Sequence, residues 1–386
     1  VDEAMREAVV SNAPQAVFVA GTSGSGKSEV IRHGIRYLAV ASVARRLEAA
    51  SHVAATSAVE RAAEDLSCAA GSDAPSIEHV LAAGMHVVYA MTTAAAPSSP
   101  SGSTAHLRFT TTFTDAGFLA RARIEAHIVD AERLASGTAP GYGSRSFAIL
   151  YQMVSGLDAA EKQRLGLSSV AELVFLDCED YDTAAMMKDA NDFQATLHAL
   201  QLCGFSAPAR SALWQTLTAV LLLGQLRIEC STEADTGAAD GSVVSSASES
   251  VGNPAFSSSW MFLNPATALL ASRLLGLEGT DSLMLMLARA ATSRNCGPTG
   301  PNSRRAGAAR PGQVLPSDLQ DEALILAREL FKEAVQSVVD HINGFLDELG
   351  GPTHAPGSSS APVEADDVSS EGSDSSVEDS KQAAQE

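Results

Sequence analysis

Gly21-Thr22-Ser23-Gly24-Ser25-Gly26-Lys27-Ser28 decides the reading of this 386-residue chain. A glycine, four further residues and then Gly-Lys-Ser is the spacing of a phosphate loop. Glycines let the backbone turn tightly and bring its N–H groups against phosphate oxygens. Lys27 supplies a cation for β- and γ-phosphates, and the Ser28 hydroxyl is a ligand for Mg²⁺. The flanks have the order such a loop requires. Ala16-Val17-Phe18-Val19-Ala20 reads as a short buried strand leading in, and a helix follows Ser28 with Val30, Ile31, Ile35 and Leu38 on one face.

Read with these flanks, Ala16 to Leu38 resembles the myosin motor domain, whose loop runs Gly-Glu-Ser-Gly-Ala-Gly-Lys-Thr-Glu and enters a helix ending in an aromatic-Leu pair. Gly21, Ser23, Gly24, Gly26, Lys27, Glu29 and Tyr37-Leu38 match, while Thr22, Ser25 and Ser28 depart. Asp2 to Arg6 is similar to the tail of the helix before this strand in myosins. Three further segments follow in the same order. Ser144 to Gln152 resembles Glu-Arg-Asn-Phe-His-Ile-Phe-Tyr-Gln and reads as a buried amphipathic helix, with Phe147, Leu150, Tyr151 and Val154 at helical spacing. Asp192-Phe193, Gly204-Phe205, Leu213-Trp214 and Ala219 to Leu226 follow the stretch ending in Leu-His-Leu-Gly-Asn. Leu326 to Phe331, with Val335, Val338, Val339 and Ile342-Asn343, resembles the long helix that precedes switch II. Collinear order from Ala16 to Asn343 makes the resemblance specific.

The resemblance implies an α/β P-loop NTPase of the myosin motor type, helix-rich with a mixed sheet. It implies ATP and Mg²⁺ as cofactors, with Gly21, Thr22, Ser23, Gly24, Ser25, Gly26, Lys27 and Ser28 holding the nucleotide. Switch I in that family reads Asn-x-Asn-Ser-Ser-Arg-Phe-Gly-Lys-Phe, and its place here is Ser99 to Arg108. Ser103 stands at the Mg²⁺-ligating serine, Ser101 replaces an asparagine, Gly102 a serine, and Thr104 the arginine that clasps switch II. The Ala94 to Pro100 run beside it has loop composition. After Leu349 the chain reads Gly-Gly-Pro-Thr-His-Ala-Pro rather than the switch II strand Asp-Ile-x-Gly-Phe-Glu. The expectation is an incomplete motor core that binds ATP with impaired hydrolysis, and no residue is given a catalytic role. By the same resemblance the partner is the actin filament, with no light-chain site, and the setting is cytoplasmic and cytoskeletal. An alternative is a generic P-loop ATPase in which Leu173-Val174-Phe175-Leu176 forms a strand and Asp177 orients Mg²⁺. A catalytically impaired interaction module is another.

Composition sets outer bounds. Formal net charge is −20, and from Ser358 onward eight acidic residues face one lysine. That balance, without a basic stripe interleaved with aromatics, argues against nucleic-acid binding. Only 5% of residues are aromatic, so an Ala- and Leu-rich core buries less area per residue. Five cysteines, at 68, 178, 203, 230 and 296, lack metal-ligand spacing and read as reduced. His79 and His86 are too far apart for a helical metal pair. No run approaches the roughly 18 apolar residues of a membrane span.

The expected organisation is a motor-like domain over 1–349 and an acidic Ser-rich tail over 350–386. Two loops interrupt it, at 231–259 and 295–316. The second carries Arg304, Arg305 and Arg310 after Arg294, a candidate basic contact for an acidic filament. A hairpin is expected from Leu107–Thr114 and Ala120–Val129, turning through Asp115-Ala116-Gly117.

Overall fold

A computed structural model of the chain describes residues 1–21, 25–51, 59, 61–62, 75–96, 99–103, 105–134, 145–167, 169–176, 181–230, 260–295 and 314–350. Helix α1 (Asp2–Ser11) precedes the loop, and α2 (Lys27–Ser51) leaves it. Helix α3 (Ile77–Thr92) is apolar nearly all round. Its single wetter stripe runs through Ala82, His86 and Tyr89, one helical face in width. Strands β1 (Thr93–Ala96), β2 (Ser99–Ser103), β3 (His106–Phe113), β4 (Leu119–His127) and β5 (Arg145–Phe147) follow. Then come α4 (Ala148–Gly156), α5 (Ala159–Leu165), α6 (Thr183–Leu202) and α7 (Ala207–Gly224). Strands β6 (Ile228–Cys230) and β7 (Trp260–Phe262) precede α8 (Pro265–Leu274), α9 (Thr280–Asn295) and α10 (Pro316–Gly350).

Helix α10 organises the core. Its 35 residues, about 52 Å long at 1.5 Å per residue, bury Leu319, Ala323, Ala327, Phe331, Val335, Val338, Ile342 and Leu346 at three- and four-residue intervals. This stripe packs against α3, α7 and β4. Helices α3 and α10 and strand β4 approach closely at Gly84: a Cβ there would lie 2.8 Å from Ile342 Cγ2 and 3.2 Å from Ile124 Cδ1. Helix α7 carries a different device. The Phe175 ring sits over Gly224, 2.3 Å from where a Cβ would stand. The expected long helix is thus present, with Ala327, Phe331, Val335, Val338, Val339, Ile342 and Asn343 buried.

The expected hairpin forms almost residue for residue. Strands β3 and β4 pair antiparallel from His106↔His127 to Thr112↔Arg121, and Gly117 takes a positive φ of 78° in the turn. Strand β4 ends at His127, short of the expected Val129, where Ile128 takes φ 53° and breaks the extended run.

Several expectations change. The mixed sheet is not formed among the described residues: β2-β1-β5, β3-β4 and β6-β7 are three small antiparallel sheets. Ala16–Ala20 is not a buried strand. It lies outside any helix or ladder, with Val17 58% and Phe18 91% exposed. A buried strand needs partners for every N–H and C=O, and no described strand lies beside it. The supposed loop beside Ser103 is a β1–β2 ribbon, pairing Thr93↔Ser103 and Ala94↔Gly102. Helix α4 begins only at Ala148, with Phe147 still in β5. The expected burial is present, and it runs without a break from Ile149 through Val154, with Leu150 and Tyr151 included. The loops at 231–259 and 296–313 and the tail from 351 lie outside the described residues; of the described helices, none is long and apolar enough to cross a membrane.

Candidate functional site

The described part of the phosphate loop is tightly closed. Lys27 is the first residue of α2, and its Nζ donates to the Gly21 carbonyl at 2.8 Å, bending the ammonium back across the loop. At Gly21 a Cβ would lie 2.6 Å from Ser25 Oγ, so a side chain there would have to displace the Ser25 hydroxyl. Gly26 has φ 82°, a backbone conformation that L-residues rarely adopt. The first helical bond runs from Val30 N–H to the Gly26 carbonyl at 3.0 Å, which sets the N-terminus of a 25-residue helix directly after the loop. Thr22, Ser23 and Gly24 lie outside the described residues.

These features fit a polyphosphate. A helix N-terminus carries about half a positive charge, an ammonium is held beside it, and Gly26 has nothing within 4 Å of where a Cβ would stand. Ser28 is half-buried in the first turn of α2. Glu29 turns outward into an ion pair with Arg32. The Ser103 backbone pairs with Thr93 at the end of β2; its side chain and Thr104 lie outside the description. Ser28 and Ser103 are therefore placed on two different elements, a helix start and a strand end.

The Asp177 alternative loses its strand. Leu173 to Leu176 form a turn after a short 3-10 helix, closed by Leu176 N–H on the Leu173 carbonyl at 2.8 Å. Leu173, Phe175 and Leu176 are buried in this turn, and the ATPase strand does not form here. Asp177 itself lies outside the described residues. His79 bonds Ser76 and His86 bonds Thr196. Among the described residues no group of three or more potential metal ligands gathers. Arg294 is committed to Glu322, Nε to Oε1 at 3.0 Å, while Arg304, Arg305 and Arg310 lie outside the description.

Two polar clusters that the sequence did not disclose join separate elements of the fold, and the first includes the helix that leaves the loop. On α2, Ser42 donates to Glu78 at 2.6 Å and Arg46 pairs with the same Oε1 at 2.8 Å. Ser42 also accepts the Leu119 N–H at 2.7 Å, and Arg46 donates to the Leu119 carbonyl at 3.2 Å. One fully buried carboxylate thus joins the helix that leaves the loop to α3 and the start of β4. Ser42 and Arg46 are four residues apart, a helical spacing present in the sequence. Their partners lie dozens of residues away, where no local pattern points.

The second cluster binds β5 to α6. Arg145 pairs with Asp189 and lies over the Tyr151 ring, 4.2 Å to its centroid. Tyr181 donates to Asp189 at 2.9 Å and shares a hydrogen bond with Ser155 at 2.6 Å. Burial pushes the Tyr181 phenol up to about 12, opposed by the Ser155 hydrogen bond and reinforced by the Asp189 carboxylate. Burial likewise raises the Cys203 thiol to about 12, the state of an inert core cysteine.

Residues 1–268 match the family described as Myosin head (motor domain). The chain is 26% identical over 117 residues to Myosin-J heavy chain of Dictyostelium discoideum, covering 30% of this chain and 5% of that protein. It is 34% identical over 82 residues to Unconventional myosin-XVB of Homo sapiens, covering 21% and 3%. It is 24% identical over 228 residues to Myosin-3 of Caenorhabditis briggsae, covering 59% and 11%. These alignments therefore take in about a tenth or less of each relative's length. A match across more than half of this chain, with the loop, the helix that follows it and the long α10 in the expected order, leads to one assignment: the chain belongs to the myosin head family.

Proposed function

We propose that Gly21–Ser28 binds the polyphosphate of ATP together with Mg²⁺, and that this chain forms part of a myosin-like motor in which nucleotide turnover is coupled to movement on actin. The observation that carries the reading is the Lys27 ammonium folded onto the Gly21 carbonyl at the start of α2. With nucleotide bound, Lys27 exchanges that carbonyl for phosphate oxygens, and the α2 N-terminus stabilises their charge. Gly26, in its left-handed conformation, keeps the backbone close enough for its N–H to take part. Ser28 and Ser103 are the proposed Mg²⁺ ligands; the ion, when bound, neutralises charge between the β- and γ-phosphates. Thr104, in place of an arginine, removes the ion pair that would hold switch II over the γ-phosphate, so turnover by this chain is expected to be slow.

Ligand linkage tests the reading. Binding to the folded state alone raises the melting temperature, by an amount set by ligand concentration over its dissociation constant. Millimolar Mg·ATP is expected to raise the midpoint of the full chain, and EDTA to reduce that gain. An unchanged midpoint would favour an interaction module that has lost nucleotide.

A further inference from the structure

The β3–β4 ribbon turns one face to the core and the other outward, and the outward face holds two histidines at its open end. Along β3 His106 and Arg108 are exposed. Along β4 Arg123 and His127 are exposed, with Glu125 half-buried between them. A side-chain period of two sets these five on one face of the ribbon. His106 and His127 are direct partners in the ladder. Residues opposite each other in an antiparallel pair hold their Cβ atoms about 4.5–5.5 Å apart, and their side chains leave the sheet together. Backbone register therefore sets the two imidazoles side by side.

Charge decides which ion they suit. Arg108 and Arg123 share the face and repel a cation, and Glu125 is engaged with both. Its Oε2 lies 3.6 Å from Arg108 Nε, and its Oε1 lies 3.6 Å from Arg123 Nε. A hard ion such as Mg²⁺ or Ca²⁺, which needs a set of oxygen ligands, is not served here. A borderline ion is bound differently, by donation of a neutral imidazole lone pair, and imidazole suits Zn²⁺, Cu²⁺ and Ni²⁺. Glu125 then has a second use. Its Oε2 is buried, makes no hydrogen bond, and lies 3.6 Å from His127 Nε2. A ligating histidine ordinarily turns its other ring nitrogen toward a carboxylate, which fixes the tautomer and makes the ring a better donor. That arrangement keeps the proton on Nε2 and offers His127 Nδ1 to the ion.

We propose that His106 and His127 form a two-imidazole site for a borderline divalent ion, Zn²⁺ being the type, with Glu125 orienting His127 and water completing the shell. A bound ion ties the first residue of β3 to the last residue of β4. It closes the end of the ribbon opposite the Asp115-Ala116-Gly117 turn. Two protein ligands are fewer than the three or four of catalytic and structural zinc sites, so the affinity is modest and the site is open to solvent.

Calorimetric titration of the full chain with Zn²⁺, thiols alkylated and Mg²⁺ in excess, is expected to show a saturable site. His106→Gln and His127→Gln should each weaken it by about tenfold or more. The double variant should lose about as much as either single one, because a chelate is lost with its first ligand; two independent histidines would give losses that add. Both side chains are exposed, so circular dichroism should not change. Amide hydrogen exchange gives a second readout: Zn²⁺ should slow exchange at the open end of β3–β4 in the natural chain and leave it unaltered in either variant. No saturable zinc binding, binding unaffected by either substitution, additive losses, or hairpin exchange that does not respond to zinc would each overturn the proposal.

Discussion

Asn343 on α10 makes a two-way hydrogen bond with the backbone of Ile124 on β4. The Ile124 N–H donates to Asn343 Oδ1 at 2.8 Å, and Asn343 Nδ2 donates to the Ile124 carbonyl at 2.7 Å. A primary amide has the donor and acceptor of a peptide group, so one side chain closes the open edge of β4 as a neighbouring strand would. The residues are 219 apart in sequence, and both are buried. The contact helps a two-stranded ribbon to pack into an otherwise helical core.

Asn343→Leu keeps the volume and removes both bonds. Two buried backbone groups lose their partner, at about 1–3 kcal/mol each. Urea unfolding is expected to show a loss of about 2–5 kcal/mol. A change below about 0.5 kcal/mol, the range of an ordinary surface substitution, would show that the pair does not support β4.

Glu78 gives a prediction of sign. Removing Arg46 leaves a fully buried carboxylate with Ser42 as its hydrogen-bond partner. Breaking a buried pair from one side costs about 3–5 kcal/mol; with the guanidinium side chain 40% exposed, about 2 kcal/mol is a better expectation for Arg46→Met. Adding Glu78→Gln removes the stranded charge and should recover more than half of that loss. Additive losses in the double variant would mean that the two residues are not coupled.

Tyr181 sets an alkaline limit. Its phenol is raised from 10 to about 12 in the folded chain. The native state therefore holds this proton longer than the unfolded state does. The resulting stability is fully present below pH 10 and is lost as pH rises through about 12. Of five tyrosines, one should form phenolate last in an absorbance titration, and that step should vanish in Tyr181→Phe. A titration in which Tyr181→Phe loses an ordinary step near pH 10 would contradict the buried placement.

These contacts show what a sequence can disclose. The β3–β4 hairpin was legible because Asp115-Ala116-Gly117 carries the turn chemistry locally and both strands alternate. Helix α10 was legible from Leu326 to Asn343 by its likeness to the family's long helix, while its first turns from Pro316 were not read. Ala16–Ala20 misled because strand composition describes a preference, while a strand exists only with a partner, and no turn beside this segment supplies one. The β1–β2 ribbon went unseen because Ala, Pro, Ser and Gly have little strand propensity; pairing to β5 supplies what composition does not. At the site, Lys27 and the glycines were legible as a motif, and Val30 was misplaced by one helical step. Ile31, Ile35 and Leu38 do pack against the core, while Val30 is 55% exposed. The Ser42–Glu78–Arg46 joint could not be seen, because a buried ion pair between separate elements leaves no periodic trace.

The central claim is that Lys27 holds phosphate. Titration of the full chain with a fluorescent ATP analogue and Mg²⁺ tests it most directly, against Lys27→Ala. A charge-assisted contact removed from a phosphate site costs about 1.5–3 kcal/mol, or roughly ten- to a hundredfold in affinity. The account predicts saturable binding by the natural chain and a loss of that size in Lys27→Ala, with the circular dichroism of the two unchanged. Equal binding by both, or none by either, would contradict it.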